Sequence, residues 1–148
     1  MSDGMTIRNA TDADAEDVWA WRQDPHTRAM SRSQAETPLA AHLAWFAAAL
    51  SDPGRTLLIG EVGDVKAGMV RFDRGAVTEI SINVNPACRS RGYGQALLSL
   101  ALEREDGEVW AEIRVENVAS QRLFGRAGFE LSETREGFHR YVRRGRSP

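Results

Sequence analysis

Apolar and polar residues alternate or recur along this chain in patterns that divide it into short strands and helices. The clearest alternation is Ile80-Ser81-Ile82-Asn83-Val84, whose period of two predicts a strand with one apolar face and one polar face. The same criteria predict six further strands, so that the full set covers residues 5–9, 56–61, 65–73, 76–84, 108–115, 129–135 and 138–143.

Four helices are predicted between these strands: 11–24, 37–52, 94–102 and one that begins at residue 117. The second helix carries an apolar stripe at helical spacing that is predicted to face the sheet, formed by Leu39, Leu43, Phe46 and Leu50. His42 and Trp45 lie off this stripe and could line a substrate groove, although packing or surface roles are favoured. The polar segment 21–31 is predicted to be an irregular connection.

The loop between strand 76–84 and the third helix has the composition of an anion-binding turn. Gly92 and Gly94 free the backbone where it enters the helix, and the unpaired N–H groups of a helix N-terminus favour a phosphate. Arg89 and Arg91 add two permanent cations. A P-loop is excluded because Lys66 is the only lysine, and a Rossmann fingerprint is excluded because the third glycine is absent.

Two segments resemble the signatures of the GNAT N-acetyltransferase family. Arg89-Ser90-Arg91-Gly92-Tyr93-Gly94 resembles the family's Arg/Gln-x-x-Gly-x-Gly/Ala loop, and the segment 117–129 resembles its second motif, which ends in Gly-Phe. The resemblance implies an α/β (α+β) fold in a single domain, 1–148. Its sheet would be mixed but mostly antiparallel, with six to seven strands, a splayed strand pair and four flanking helices.

The resemblance also implies a binding site for acetyl-CoA. Pantetheine would pair with strand 76–84, the loop would hold the pyrophosphate, and the Val84 N–H could polarise the thioester. The residues implied in cofactor binding are Ile82, Asn83, Val84, Arg89, Ser90, Arg91, Gly92, Tyr93, Gly94, Gln95, Asn117, Ser120 and Phe124. Phe124 occupies the position where many members carry a tyrosine that protonates the leaving thiolate, so this role would pass to water or to a hydroxyl such as Tyr93 or Ser81.

Three residues are candidates for the general base that deprotonates the acceptor amine. Glu79 begins the cofactor strand on the face shared by Ser81 and Asn83. Glu112 matches the base of ribosomal-protein alanine N-acetyltransferases, which the segment 112–117 resembles. His26 ranks third, because histidine is a residue type that can serve as a base at neutral pH.

For the acceptor, the first half of the chain resembles the nucleotide-sugar N-acetyltransferases of flagellin and surface-polysaccharide glycosylation, including the pseudaminic acid pathway. The acceptor would be an amino group of a nucleotide-linked deoxy sugar. The residues predicted to bind it are Trp21, His26, Arg28, Arg71 and Ser81. Two alternatives remain open: an N-terminal peptide acetyltransferase and a non-catalytic acyl-CoA-binding module.

Composition narrows the classes of partner. The net charge of −2 over 148 residues provides no basic field for nucleic acid. A single cysteine, Cys88, excludes an internal disulfide and a thiolate metal cluster, and no metal site is predicted. The absence of a long apolar run argues against a membrane partner. We therefore expect a cytoplasmic monomer or homodimer that binds a small-molecule amine.

Overall fold

A computed structural model describes residues 4–145 and places seven strands in one sheet. The strands are β1 (Met5–Asn9), β2 (Arg55–Val62), β3 (Val65–Arg74), β4 (Thr78–Val84), β5 (Val109–Arg114), β6 (Glu130–Arg135) and β7 (Phe138–Arg143). The helices are α1 (Ala15–Arg22), α2 (Pro25–Met30), α3 (Leu39–Ser51), α4 (Tyr93–Leu102) and α5 (Val118–Arg126). All seven predicted strands are confirmed, to within two residues at each end.

The sheet is mixed and has one parallel pair. Its strand order is β1-β2-β3-β4-β5-β7-β6, and every neighbouring pair is antiparallel except β4 and β5. Those two strands pair only at Thr78–Val109 and Glu79–Trp110 and then separate. The splayed strand pair is therefore confirmed, and the β4 edge from Ile80 to Val84 faces an opening instead of a neighbouring strand.

Alternation along the central strands supplies a hydrophobic core on each face of the sheet. Leu58, Val70 and Phe72 point to the face covered by α4 and α5. Leu57, Ile59 and Met69 point to the opposite face, where they pack with residues of α1 and α3. Because successive strand residues point to opposite faces of the sheet, residues of the same two strands contribute to both core layers.

Helix α4 approaches the sheet closely because two glycines face it. Gly60 and Gly68 are paired across β2 and β3. A Cβ on Gly60 would lie 2.6 Å from Leu97 Cδ1, and one on Gly68 would lie 2.7 Å from the carbonyl oxygen of Asn83. Leu97 fills the space that the missing side chains leave, and this contact sets the depth of α4 beside β4.

Two local predictions are wrong. Residues 25–30 of the expected irregular connection form α2, because Asp24 caps this short helix by accepting from the Thr27 N–H and Pro25 occupies its first position. The predicted stripe of α3 is also rotated. Leu43 is 37% exposed, whereas His42 is 1% exposed and lies on the buried face with Phe46.

A buried carboxylate ties the N-terminal strand to the sheet centre. Asp14 is 1% exposed and accepts from Arg8 Nη1 at 2.8 Å and from the Thr11 backbone N–H at 2.8 Å. Lys66 Nζ lies 2.8 Å from its other oxygen. The hydrogen bond from Arg8 is the main reason that the pKa of Asp14 lies well below its ordinary value, and Lys66 and Thr11 reinforce the effect.

We expect Asp14→Asn to lower the free energy of unfolding by about 2–3 kcal/mol, because it removes the charge shared by two cations in a buried site. The control is Asp17→Asn, since Asp17 pairs with the same Lys66 at 2.8 Å but is exposed. Urea unfolding at neutral pH would compare the two variants with the wild-type protein.

The loss of stability caused by Asp14→Asn should depend on pH. The folded-state pKa of Asp14 is depressed, so its contribution is complete above the ordinary value of 3.8 and is lost as the pH falls toward the folded-state pKa. The stability gap between wild type and Asp14→Asn should therefore narrow in acid. A gap that stays constant between pH 7 and pH 3 would contradict this account of Asp14.

Candidate active site

Two cavities meet where β4 separates from β5. One has a volume of about 610 Å³ and extends toward α1 and α3, and the other has about 460 Å³ and extends toward the start of α4. After the roles that the family resemblance implies, we call them the acceptor cavity and the cofactor cavity. They share seven lining residues: Thr27, Met30, Ser31, Ile82, Asn83, Asn117 and Ser120. A ligand in one cavity would therefore touch the same strand segment as a ligand in the other.

The cofactor cavity ends at a backbone turn suited to an anion. Ser90 and Gly92 have φ values of 64° and 75°, so the chain turns twice through the left-handed region before α4 begins. Gly92 caps α4 without a side-chain hydrogen bond, which leaves the N–H groups of the first turn available. Ser90, Gly92, Tyr93, Gly94 and Gln95 all line this cavity.

The two arginines of this loop differ in their surroundings. Arg89 lines the cofactor cavity, but its guanidinium pairs with Asp24 and donates to Thr27 Oγ1 at 2.9 Å. This pairing is the main cause that lowers the pKa of Asp24 to about 2. Arg89 therefore joins the loop to the start of α2. Arg91 is exposed and does not line either cavity.

Buried polar atoms provide a test of whether coenzyme A fits here. Within residues 4–145, Asn83 Oδ1 and Gln95 Oε1 are buried without a hydrogen-bond partner, and both residues line the cofactor cavity. The β4 edge beside Asn83 has no strand partner after Glu79. Unpaired polar groups on a strand edge and at a helix N-terminus match the amides and the pyrophosphate of coenzyme A. The residues fit this cofactor.

Helix α5 forms the opposite wall. Asn117 caps it by accepting from the Ser120 N–H at 3.2 Å, and both residues lie where the two cavities meet. Phe124 lines the acceptor cavity and packs edge-on against Phe129 with ring centroids 5.0 Å apart. A phenylalanine here completes the core and offers no proton.

Glu79 and Glu112 both line the acceptor cavity, and each is paired with an arginine. Glu79 pairs with Arg32, and Glu112 Oε1 accepts from Arg140 Nε at 2.9 Å. Glu79 belongs to β4 and Glu112 to β5, so the two carboxylates approach from opposite sides of the splay.

The segment after α2 closes over these carboxylates through backbone contacts. Arg114 Nε donates to the Ser31 carbonyl at 2.6 Å, and its Nη2 donates to the Arg32 carbonyl at 2.9 Å. Arg114 therefore holds the segment that carries Arg32 over the acceptor cavity. The chain between α2 and α3 is thus attached to both strands of the splay.

The residues predicted to bind the acceptor do not all meet. Arg71 and Ser81, which are register partners on β3 and β4, line the acceptor cavity. His26 is exposed and lines the cofactor cavity. Trp21 is 7% exposed and packs in the core beneath α1 and α3, so the structure does not place it in the cavity. Arg28 pairs with Glu36 at 3.3 Å and also lies outside the cavity lining.

Sequence reasoning missed two charged residues of the acceptor cavity, Arg22 and Arg32. His42, for which packing was favoured over a place in a groove, also lines this cavity. His42 Nε2 lies 2.9 Å from the Ala15 carbonyl, which can only accept, so Nε2 carries the proton. Burial lowers the pKa of the imidazole, the Ala15 carbonyl opposes that shift, and the charge of Arg22 adds to it. The remaining nitrogen, Nδ1, is a buried acceptor without a partner.

Neither a metal cluster nor a membrane span is found among residues 4–145. No group of three or more histidine, cysteine, aspartate or glutamate side chains there could hold a metal ion. None of the helices in that range is long and apolar enough to cross a bilayer.

Comparison with protein families gives a match over most of the chain. The family described as "Acetyltransferase (GNAT) domain" matches residues 5–130. The uncharacterized N-acetyltransferase YfmK of Bacillus subtilis is 34% identical over 95 residues, which are 61% of this chain. The alignment spans 64% of the length of that relative, somewhat less than two thirds.

Solved structures match over nearly the whole chain. The protein yncA of Salmonella typhimurium, with its cofactor acetyl-CoA, superposes with a TM-score of 0.77 at 25% identity and 97% coverage of both chains. The spermidine N-acetyltransferase of Vibrio cholerae, in complex with CoA and spermine, superposes with a TM-score of 0.83 at 14% identity and 96% coverage of both chains. The second match concerns the fold alone.

We expect Gly92→Ala to weaken the binding of coenzyme A by about tenfold, because a side chain at positive φ costs about 1–2 kcal/mol and would turn the N–H groups of α4 away from the anion. Gly125→Ala is the control, since Gly125 lies in α5 with an ordinary φ and open space around its Cα. Isothermal titration with coenzyme A would measure both. Equal affinities in the two variants would show that the turn does not hold the pyrophosphate.

Proposed function

This chain belongs to the GNAT acetyltransferase family, and from that premise we propose that it acetylates a primary amine of a nucleotide-linked deoxy sugar by direct transfer. Acetyl-CoA-dependent N-acetylation is the activity of such a domain. Our proposal adds to this activity the identity of the acceptor and the roles of individual residues.

One observation carries the proposal: the two cavities join at the unpaired edge of β4. Ile82 and Asn83 line both cavities. When bound in the cofactor cavity, acetyl-CoA supplies the acetyl group as a thioester. Those backbone groups of the segment from Ile82 to Val84 that face the splay would orient it, and the turn from Arg89 to Gln95 would hold its phosphates. An amine in the acceptor cavity then lies beside the same strand segment, which is the proximity that the reaction requires.

Glu79 and Glu112 are the proposed acceptors of the amine proton. Both carboxylates line the acceptor cavity, whereas His26 lies on the cofactor side and is the weaker candidate. The amino group of a sugar is less basic than that of lysine, so a carboxylate of moderate basicity is adequate. Phe124 cannot protonate the departing thiolate of coenzyme A. Ser120 presents a hydroxyl at the junction of the cavities, and Tyr93 presents one in the cofactor cavity.

The charges of the acceptor cavity favour an acceptor that carries negative groups. Three arginines and two glutamates line it: Arg22, Arg32, Arg71, Glu79 and Glu112. Arg32 neutralises Glu79, and Arg140 neutralises Glu112 from outside the cavity. Arg71 pairs with Asp73 outside the cavity lining, so Arg22 keeps the one charge of this set without a carboxylate partner within residues 4–145. That positive charge, with the free terminal nitrogens of Arg71, suits the diphosphate of a nucleotide sugar. It is unfavourable for a polycation such as spermine, which is bound in the Vibrio cholerae structure.

The acceptor is tested by following thiol release from acetyl-CoA with a panel of amines. The panel contains a UDP-linked 4-amino-4,6-dideoxy sugar, peptides with free N-termini, an aminoglycoside and spermidine. We expect the nucleotide sugar to react with the highest kcat/KM. Turnover of peptides alone would contradict the proposal and favour N-terminal acetylation. Binding of acetyl-CoA without turnover of any amine would favour the acyl-CoA-binding module.

The base is tested by pH–rate profiles of Glu79→Gln and Glu112→Gln. Loss of the true base should lower kcat/KM by about a hundredfold or more and remove the acidic limb of the profile, because the base acts only when deprotonated. Glu133→Gln is the matched control. Glu133 also pairs with Arg140, at 3.0 Å, but belongs to β6 and does not line the acceptor cavity. If both cavity variants keep the acidic limb, the assignment fails and His26→Gln becomes the next variant to measure.

A further inference from the structure

Arg22 stands apart from the other charged residues of the acceptor cavity because no carboxylate neutralises it. Within residues 4–145, its guanidinium makes no ion pair and no hydrogen bond, although the side chain is half-buried and lines the cavity. Its pKa is lowered first by burial and second by the positive charge of Arg71. Two guanidinium groups therefore repel each other in a partly desolvated place.

Arg71 is the second guanidinium with free donors. Its Nε donates to Asp73 Oδ2 at 2.9 Å, but its two terminal nitrogens donate to no acceptor in the described part of the chain. The guanidinium carbon lies 5.1 Å from the centroid of the Trp45 ring, which fixes its orientation. The side chain is thus held in place while its outer edge stays available.

The other charged residues of this cavity are paired with one another or with a residue just outside it. Arg32 and Glu79 satisfy each other, and Arg140 satisfies Glu112. Arg71 pairs with Asp73 through its Nε alone, whereas the partly buried charge of Arg22 has no carboxylate partner within residues 4–145. An unpaired charge in such a place lowers stability, and a ligand of opposite sign that also met the free terminal nitrogens of Arg71 would offset this cost. The planar fork of arginine is also the donor geometry that matches carboxylate and phosphate oxygens.

The register of the sheet places this pair near the reacting end. Arg71 is the partner of Ser81, and Ser81 precedes Asn83 by two residues on β4. Two strand residues span about 7 Å, so Arg71 is paired with a residue close to the strand segment that both cavities share. Arg22 and Arg71 therefore lie beside the acceptor and not beside the cofactor turn, whose cavity neither residue lines.

We infer that Arg22 and Arg71 form an oxyanion subsite that binds a phosphate or carboxylate group of the acceptor. This inference rests on the proposed transfer to an amine in the same cavity, and it assigns the acceptor class by charge. The substrate carries an amine at one end and an oxyanion at the other. A nucleotide sugar supplies the oxyanion as a diphosphate, and an amino acid supplies it as a carboxylate.

The test is titration calorimetry on the protein saturated with coenzyme A, so that the turn at α4 is already filled. UDP is the phosphate probe and glutarate is the carboxylate probe, and neither carries an amine. We expect at least one of them to bind. Arg22→Met should weaken that binding by about tenfold to a hundredfold, since a charged hydrogen bond is lost. It should leave the affinity for coenzyme A unchanged and the melting temperature the same or higher.

Arg28→Met is the matched control. Arg28 belongs to the next helix, α2, and pairs with Glu36 outside the cavity lining. It should leave probe binding unchanged. Arg71→Met provides a second variant with the same expected loss, so the result does not depend on the folding of one protein. In turnover assays, both cavity variants should raise the KM of the acceptor and leave the KM of acetyl-CoA unchanged.

The outcomes separate this inference from the proposed acceptor. Binding of UDP that depends on Arg22 supports both. Binding of glutarate alone that depends on Arg22 supports the oxyanion subsite and overturns the nucleotide-sugar acceptor. If neither probe binds, or if Arg22→Met binds them as well as the wild-type protein does, the oxyanion subsite is overturned whichever amine is acetylated.

Discussion

The separation of β4 from β5 is the constraint on which the rest of the structure depends. Two parallel strands that share only two residue pairs leave the β4 edge without hydrogen-bond partners from Ile80 onward. In a closed sheet, the backbone N–H and C=O groups of such an edge would be hydrogen-bonded to a neighbouring strand. Here it borders both cavities, so the main-chain groups that the sheet does not use are the groups available to ligands. The long axis of the site therefore follows a strand edge.

The splay is kept open by the packing around it. Helix α4 sits close to the sheet because Gly60 and Gly68 admit Leu97, and this position directs the start of α4 toward the end of β4. On the other side, Arg114 holds the segment after α2 by two backbone carbonyls. Apolar packing beneath the sheet and charged contacts above it thus fix the same opening from its two faces.

Much of this arrangement could be predicted from sequence, where the signal was local. Strict alternation identified the strands, and the glycines and arginines before α4 identified the turn. The buried face of α3 could not be predicted, because a histidine is buried there only through its contact with the Ala15 carbonyl, 27 residues earlier. The roles of Arg22 and Arg89 also depend on distant partners, or on the lack of them. The role of such a charged residue depends on its neighbours in the folded structure, and those neighbours leave no periodic pattern in the sequence.

The contact between Arg89 and Asp24 joins the two cavities through the ends of a short helix. Arg89 belongs to the turn before α4, and Asp24 caps α2, whose residues Thr27 and Met30 line both cavities. Any free energy with which one ligand orders this contact is available to the other, since thermodynamic coupling between two sites is reciprocal. A ligand in either cavity that shifted this ion pair would therefore change the affinity of the other cavity by the same factor.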